Sequence, residues 1–181
     1  MKIYITGTGI ISGIGNSINE TYNALITEKS GITEKEYPNL KRSFYTASVA
    51  LSNSELATLC KCKNEHYSRS SLLGLKAALE CWGDNKIDPT IKTGIISGTS
   101  VGGMDKSEIF YRKHLTTEIA NFNDLRYHDS GSVIEKVADH LNITDYINTI
   151  STACSSSSNA IMHGARLIKS GQLDRVIVGG V

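Results

Sequence analysis

Short runs of β-branched residues alternate with longer stretches at helical spacing along this 181-residue chain. That alternation is the pattern of βαβ units around a mainly parallel sheet. The run from Lys2 to Ile11 reads as a buried strand, and Ile18 to Thr27 as a helix with Asn16 or Ser17 as its N-cap and Tyr22, Leu25 and Ile26 as its apolar residues. Ser30 to Lys41 reads as a connection, Phe44 to Leu51 as a second strand and Ser54 to Cys62 as a short helix. Leu72, Leu75, Leu79 and Trp82 set the apolar face of a helix over Ser68 to Trp82, with Gly83 as its C-cap. Lys92 to Ser97 is a third strand, leading through the turn Gly98 to Gly103 into a helix over Asp105 to Leu115. Thr116 to Gly131 is irregular, and Ser132 to Leu141 is helical again. The last forty residues are the clearest unit: strand Tyr146 to Thr152, helix Cys154 to Lys169, Gly171 as C-cap, strand Arg175 to Gly179. Such a crossover is expected to be right-handed.

Composition narrows the function classes. With 40% hydrophobic and 20% charged residues and only two prolines, the chain reads as one globular domain with enough apolar content for its own core. Nineteen Lys and Arg are interspersed with eighteen Asp and Glu for a net charge of +1, so no stripe suited to nucleic acid is visible. No run approaches the ~20 apolar residues that span a bilayer. The apolar start, Ile3 to Ile11, carries Gly7 and Gly9 and lacks a small-residue cleavage site, so it does not read as a secretory leader. Cys60, Cys62, Cys81 and Cys154 form no disulfide framework in a chain of this length. A reducing, cytoplasmic setting is the expectation.

The strongest chemical constellation is Ile150-Ser151-Thr152-Ala153-Cys154-Ser155-Ser156-Ser157-Ser158-Asn159-Ala160. It places Cys154 where a strand turns sharply into a helix, among small residues that let a ligand approach. A thiol at a helix N-terminus faces unpaired N–H groups and the positive end of the dipole, which favours the nucleophilic anion. The same N–H groups can stabilise the oxyanion of a thioester under attack. A plainer reading keeps Cys154 as a small buried residue beside serines that cap a helix. A base is not evident: His163 lies nine residues on, on the opposite side of the helix and about 13 Å along it, and His66, His114, His128 and His140 carry no local motif.

Other signals are weaker. Gly7-Thr8-Gly9 lacks the third glycine of a dinucleotide fingerprint, Ser12 standing in its place. The glycines of Gly98 to Gly103 are followed by Met104-Asp105-Lys106-Ser107 rather than the Gly-Lys-Ser/Thr of a phosphate loop. Cys60-Lys61-Cys62 with His66 gives at most three metal ligands and no second pair. Asn142-Ile143-Thr144 fits a glycosylation sequon that carries no meaning in the cytoplasm.

Three stretches carry a family resemblance. Ser151-Thr152-Ala153-Cys154-Ser155-Ser156-Ser157, with Gly164 to Ile168 and Asp174 to Gly180, resembles the active-site region of elongating β-ketoacyl-acyl carrier protein synthases. Ile5-Thr6-Gly7-Thr8-Gly9-Ile10-Ile11-Ser12 and Gly94 to Gly103 resemble the same family's first strand and glycine-rich turn. The resemblance implies a thiolase-like α/β fold in which two halves build an αβαβα sandwich, with residues 1–181 matching the N-terminal half alone. It implies that Cys154 takes an acyl group from acyl carrier protein, and that malonyl carrier protein then loses carbon dioxide and attacks that thioester. The substrates ride on phosphopantetheine, and neither cofactor nor metal is implied. Two histidines, a lysine and a glycine-flanked aromatic would lie in the second half. Ser70 departs from a bulkier residue expected in the family, and Ser157 stands where glycine is frequent.

The chain ends at Val181 directly after an apolar strand, which reads as a fragment whose open sheet face is covered in a homodimer or by a complementary chain. A non-catalytic partner subunit that shapes a heterodimer's acyl pocket is the alternative reading, although chain-length-factor relatives lack the cysteine that this chain retains. A cysteine hydrolase using one of the four unplaced histidines is a third.

Overall fold

A computed structural model describes residues 2–37, 40–116 and 119–181; residues 38 and 39, in the stretch read as a connection, and 117 and 118, in the stretch read as irregular, lie outside it, as does residue 1. The helices are α1 (Ile18–Ile26), α2 (Asn53–Leu59), α3 (Arg69–Trp82), α4 (Met104–Leu115), α5 (Gly131–Leu141) and α6 (Ser156–Lys169). The strands are β1 (Thr33–Tyr37), β2 (Arg42–Thr46), β3 (Thr93–Gly98), β4 (Tyr146–Ile150) and β5 (Arg175–Gly180). β3, β4 and β5 form one parallel sheet in the order β4-β3-β5. The α6 crossover therefore carries the chain from one edge of the sheet, over β3, to the other.

The pleat of β3 sorts the two cores. Every residue of β3 is buried, and neighbouring side chains point to opposite faces. Ile95 packs with Leu56, Leu72, Leu75, Val137, Ala138 and Leu141 under α2, α3 and α5. Ile96 packs with Ala160, Leu167 and Leu173 under α6. Helix α6 comes close because Gly164 faces Val176 and Val178, where a Cβ would stand within about 3 Å of both. The result is a helix, sheet, helix sandwich with all three strand C-termini at one end.

Helix starts follow local chemistry. Ser17 accepts from the N–H of Glu20 at α1, Ser68 from Ser71 at α3, and Ser52 with Glu55 forms a reciprocal capping box at α2. Gly83 ends α3 at φ +57°, a conformation open to glycine at no steric cost.

Two strands read from sequence are different in the structure. Residues 2–11 form no strand; Tyr4 and Ile5 are 74% and 88% exposed. Their segment lies instead on α3, with Gly7 against the carbonyl of Cys81 and Gly9 against that of Ala77. Glu80 holds it there, its carboxylate accepting from the N–H groups of Ile10 (3.1 Å) and Ile18 (2.9 Å). Helix side chains and backbone thus replace the strand ladder that the apolar run suggested. The second strand is shorter and earlier than expected, and pairs antiparallel with β1 inside the stretch read as a connection. That hairpin is almost wholly exposed, so it lacks the alternation of a half-buried strand. The apolar residues of α1, Tyr22, Leu25 and Ile26, are likewise exposed, while Thr21 and Ala24 are buried. Among the described residues no helix is long and apolar enough to cross a membrane.

Candidate active site

In a parallel sheet the crevice beyond the strand C-termini is where ligands bind, and there the chain builds its sharpest turn. β3 and β5 end side by side in Gly98 and Gly180. A Cβ on Gly98 would stand closer than 3.0 Å to the backbone of Ser156 and Ser157, and one on Gly180 would collide with Ser157 Oγ. The first turn of α6 therefore rests directly on the strand ends. On the other side, the N–H of Thr99 donates to the carbonyl of Ile150 at 3.2 Å, joining the exits of β3 and β4.

From Ile150 the chain reverses through Ala153, which has φ +51°, into a single 3-10 turn, Ala153–Ser155. Cys154 sits in that turn and is exposed. Helix α6 begins two residues later than the helix read from sequence, with Ser155 as its N-cap and no side-chain cap bond. The serines are not ordinary caps. Ser156 Oγ accepts from the N–H of Thr152 (2.9 Å) and donates to the carbonyl of Ala153 (2.7 Å). Ser155 Oγ donates to the carbonyl of Thr152 (2.8 Å), and Asn159 Nδ2 donates to Thr152 Oγ1 (2.8 Å). This network had no signature in the sequence beyond the density of small polar residues.

Cys154 differs from the other three thiols. Cys60 is 1% exposed in the α2–α3 core; burial, with the neighbouring Cys62 adding to it and Lys76 opposing, pushes its pKa up from 9.0 to about 11. Burial also raises Cys62 and Cys81. Between pH 9 and 11 the unfolded chain releases a proton from residue 60 that the folded chain keeps, so stability falls as pH rises through that window. The expected loss is on the order of 2 kcal/mol. Urea unfolding across pH 8 to 11 measures it, and Cys60→Ala is expected to flatten the alkaline limb; an unchanged limb contradicts the assignment.

The histidines have other partners. His163 Nε2 meets Tyr146 OH at 2.8 Å, which fixes it on the flank of β4, in keeping with its expected place away from Cys154. His114 stacks on Phe110 and His128 Nδ1 meets Ser107 Oγ at 3.1 Å. His140 lies in the last turn of α5, before the chain enters β4 at the sheet's opposite end, and His66 in a short 3-10 turn ahead of α3. The structure thus presents an exposed thiol on a braced turn, and none of the histidine contacts given above is made to Cys154.

The family model for the β-ketoacyl synthase N-terminal domain matches residues 1–181. The chain belongs to that family. It is 23% identical to the 3-oxoacyl-[acyl-carrier-protein] synthase 2 of Vibrio harveyi over 189 residues, covering 99% of this chain and 45% of the relative. The chain thus spans about half the length of the curated relatives it matches. Among solved structures, the ishigamide ketosynthase/chain length factor superposes with a TM-score of 0.81 at 16% identity, covering 97% of this chain and 51% of that one. A ketosynthase in complex with its chain length factor from Xenorhabdus doucetiae gives a TM-score of 0.71 at 24% identity, covering 98% and 46%. The fold is the thiolase-like α/β fold of ketosynthases, represented by its N-terminal half, as the sequence resemblance implied.

Proposed function

We propose that Cys154 is the covalent acyl acceptor of a 3-oxoacyl-[acyl carrier protein] synthase whose N-terminal half is this ketosynthase domain. The observation that carries the reading is the exposed thiol of Cys154 on a hydrogen-bonded turn beyond the C-termini of three parallel strands. The Cys154 sulfur attacks the carbonyl carbon of an acyl thioester, and the phosphopantetheine thiol of acyl carrier protein leaves with the proton. Malonyl carrier protein then loses carbon dioxide, and the carbanion so formed attacks the Cys154 thioester, making the new carbon–carbon bond and releasing the Cys154 sulfur. Nothing in this sequence of steps draws on a metal or a redox cofactor. Decarboxylation asks for oriented imidazoles, which fall to the part of the protein beyond these residues. Acyl carrier protein is the proposed partner, and the working form a homodimer or heterodimer.

The test is mass spectrometry of the full-length protein after incubation with an acyl carrier protein thioester. The expected result is one acyl group on the Cys154 peptide. Cys154→Ala is expected to remove that adduct and to lower condensation by on the order of 10⁶-fold, the scale on which a lost nucleophile acts. An adduct that survives the substitution, or none in the unaltered protein, sinks the reading. The pairing of ketosynthase with chain length factor in both structural neighbours favours a second reading, a non-catalytic subunit shaping a heterodimer's acyl pocket. Its mark is a Cys154 that resists iodoacetamide in the folded assembly, against the exposure seen here.

A further inference from the structure

A serine at the start of a helix ordinarily accepts from an N–H two or three residues ahead. Ser156 instead turns back. Its hydroxyl bridges the N–H of Thr152 and the carbonyl of Ala153, and the residue is 4% exposed. The two bridged groups lie on either side of the Ala153 φ,ψ pair, and Ala153 is left-handed at φ +51°. For an L-residue with a Cβ that conformation is disfavoured. It persists only where its surroundings hold it, and here a single buried hydroxyl spans it.

We infer that Ser156 is the positioning residue of this site, holding Ala153 in the left-handed conformation that presents Cys154 at the mouth of the turn. The inference builds on the reading of Cys154 as acyl acceptor. Ser156 does not touch the substrate and acts through the backbone of residues 152–154. Asn159 and Ser155 also grip Thr152, but their bonds are exposed, and water can take their place. The Ser156 bonds are partly buried, so its loss strips the Thr152 N–H of its hydroxyl partner and leaves the Ala153 carbonyl only the N–H of Ser156.

A double-mutant cycle between residues 153 and 156 tests this, because glycine adopts the left-handed conformation without a steric penalty. In the full-length protein, Ser156→Ala is expected to slow both iodoacetamide alkylation of Cys154 and its acylation by an acyl carrier protein thioester by tenfold or more. With Ala153→Gly already in place, the same substitution is expected to cost less than threefold. Equal losses in the two backgrounds, or no loss from Ser156→Ala, overturn the inference. Should Ser156→Ala fail to fold by circular dichroism, the double variant is expected to fold, and its failure too overturns the inference. The two readouts separate the two claims. Coupling in alkylation without any acylation of the unaltered protein removes the proposed function and supports the positioning role. Normal acylation without coupling removes the positioning role alone.

Discussion

Replacing Gly98 by alanine is expected to destabilise the protein by about 3 kcal/mol or more, at the upper end of what overpacking costs. The added Cβ would stand closer than 3.0 Å to the carbonyl carbon of Ser156 and to the N and Cα of Ser157. All three are backbone atoms of a helix start and cannot rotate aside. Relief requires lifting the first turn of α6 off the sheet, which also disturbs the Ser156 bridge and the 3-10 turn that holds Cys154. Gly180→Ala is the internal control. There the closest obstruction is Ser157 Oγ, the end of a short side chain on an exposed residue that can turn away, and a single backbone atom, the Gly98 carbonyl oxygen, stands within 3.0 Å, against three backbone atoms for the Cβ added at Gly98. Urea unfolding of the two variants is expected to show Gly98→Ala as the more damaging, with slower alkylation of Cys154 besides. A loss below about 1 kcal/mol at Gly98 would mean that the strand ends and α6 are less closely apposed than described.

Arg69→Ala is expected to cost about 3 kcal/mol, through the segment that leads into α2. The Arg69 guanidinium donates to the carbonyls of Val49 (2.9 Å) and Leu51 (3.1 Å) and to Asn53 Oδ1 (2.8 Å). One planar fork thus gathers three acceptors from five residues of chain. The backbone N–H of Arg69 also donates to Asp105 Oδ2 at 3.0 Å, a bond that alanine keeps, so the loss measured belongs to the side chain. Lysine is expected to recover no more than about a third of it, because a point charge cannot match the fork's geometry. Chemical denaturation gives the energies, and limited proteolysis between residues 47 and 53 reports whether the segment has come loose. A lysine variant as stable as the unaltered protein would show that charge, not geometry, is what matters at this position.

The legibility of the chain follows the range of the forces involved. Helices α1 to α6 and strands β3, β4 and β5 follow from the sequence to within a few residues, because caps, C-terminal glycines and apolar periodicity are local signals. The strand expected over residues 2–11 does not form, because an apolar run reports only that a segment seeks cover. Whether it finds a neighbouring strand or the backbone of α3 depends on Gly7, Gly9 and Glu80 meeting that helix. The hairpin of β1 and β2 leaves no trace in the sequence, because a strand pair exposed on both faces carries no alternation. Ser43 Oγ donating to Glu34 Oε1 across it is a contact between residues nine apart.

At the site, Cys154 and the sharp entry into α6 were evident from residue types alone, since small residues, a thiol and a helix start are adjacent in sequence. The packing of Gly98 and Gly180 beneath that helix, the left-handed Ala153 and the backward bonds of Ser156 emerge only once β3, β4 and β5 are brought together. The chain's order of residues marks its proposed nucleophile and its alternating elements, because those are written within a turn or two of backbone. How the thiol is held, and why α6 starts two residues after it, depend on strands more than fifty residues apart ending at the same place. No local pattern encodes that distance.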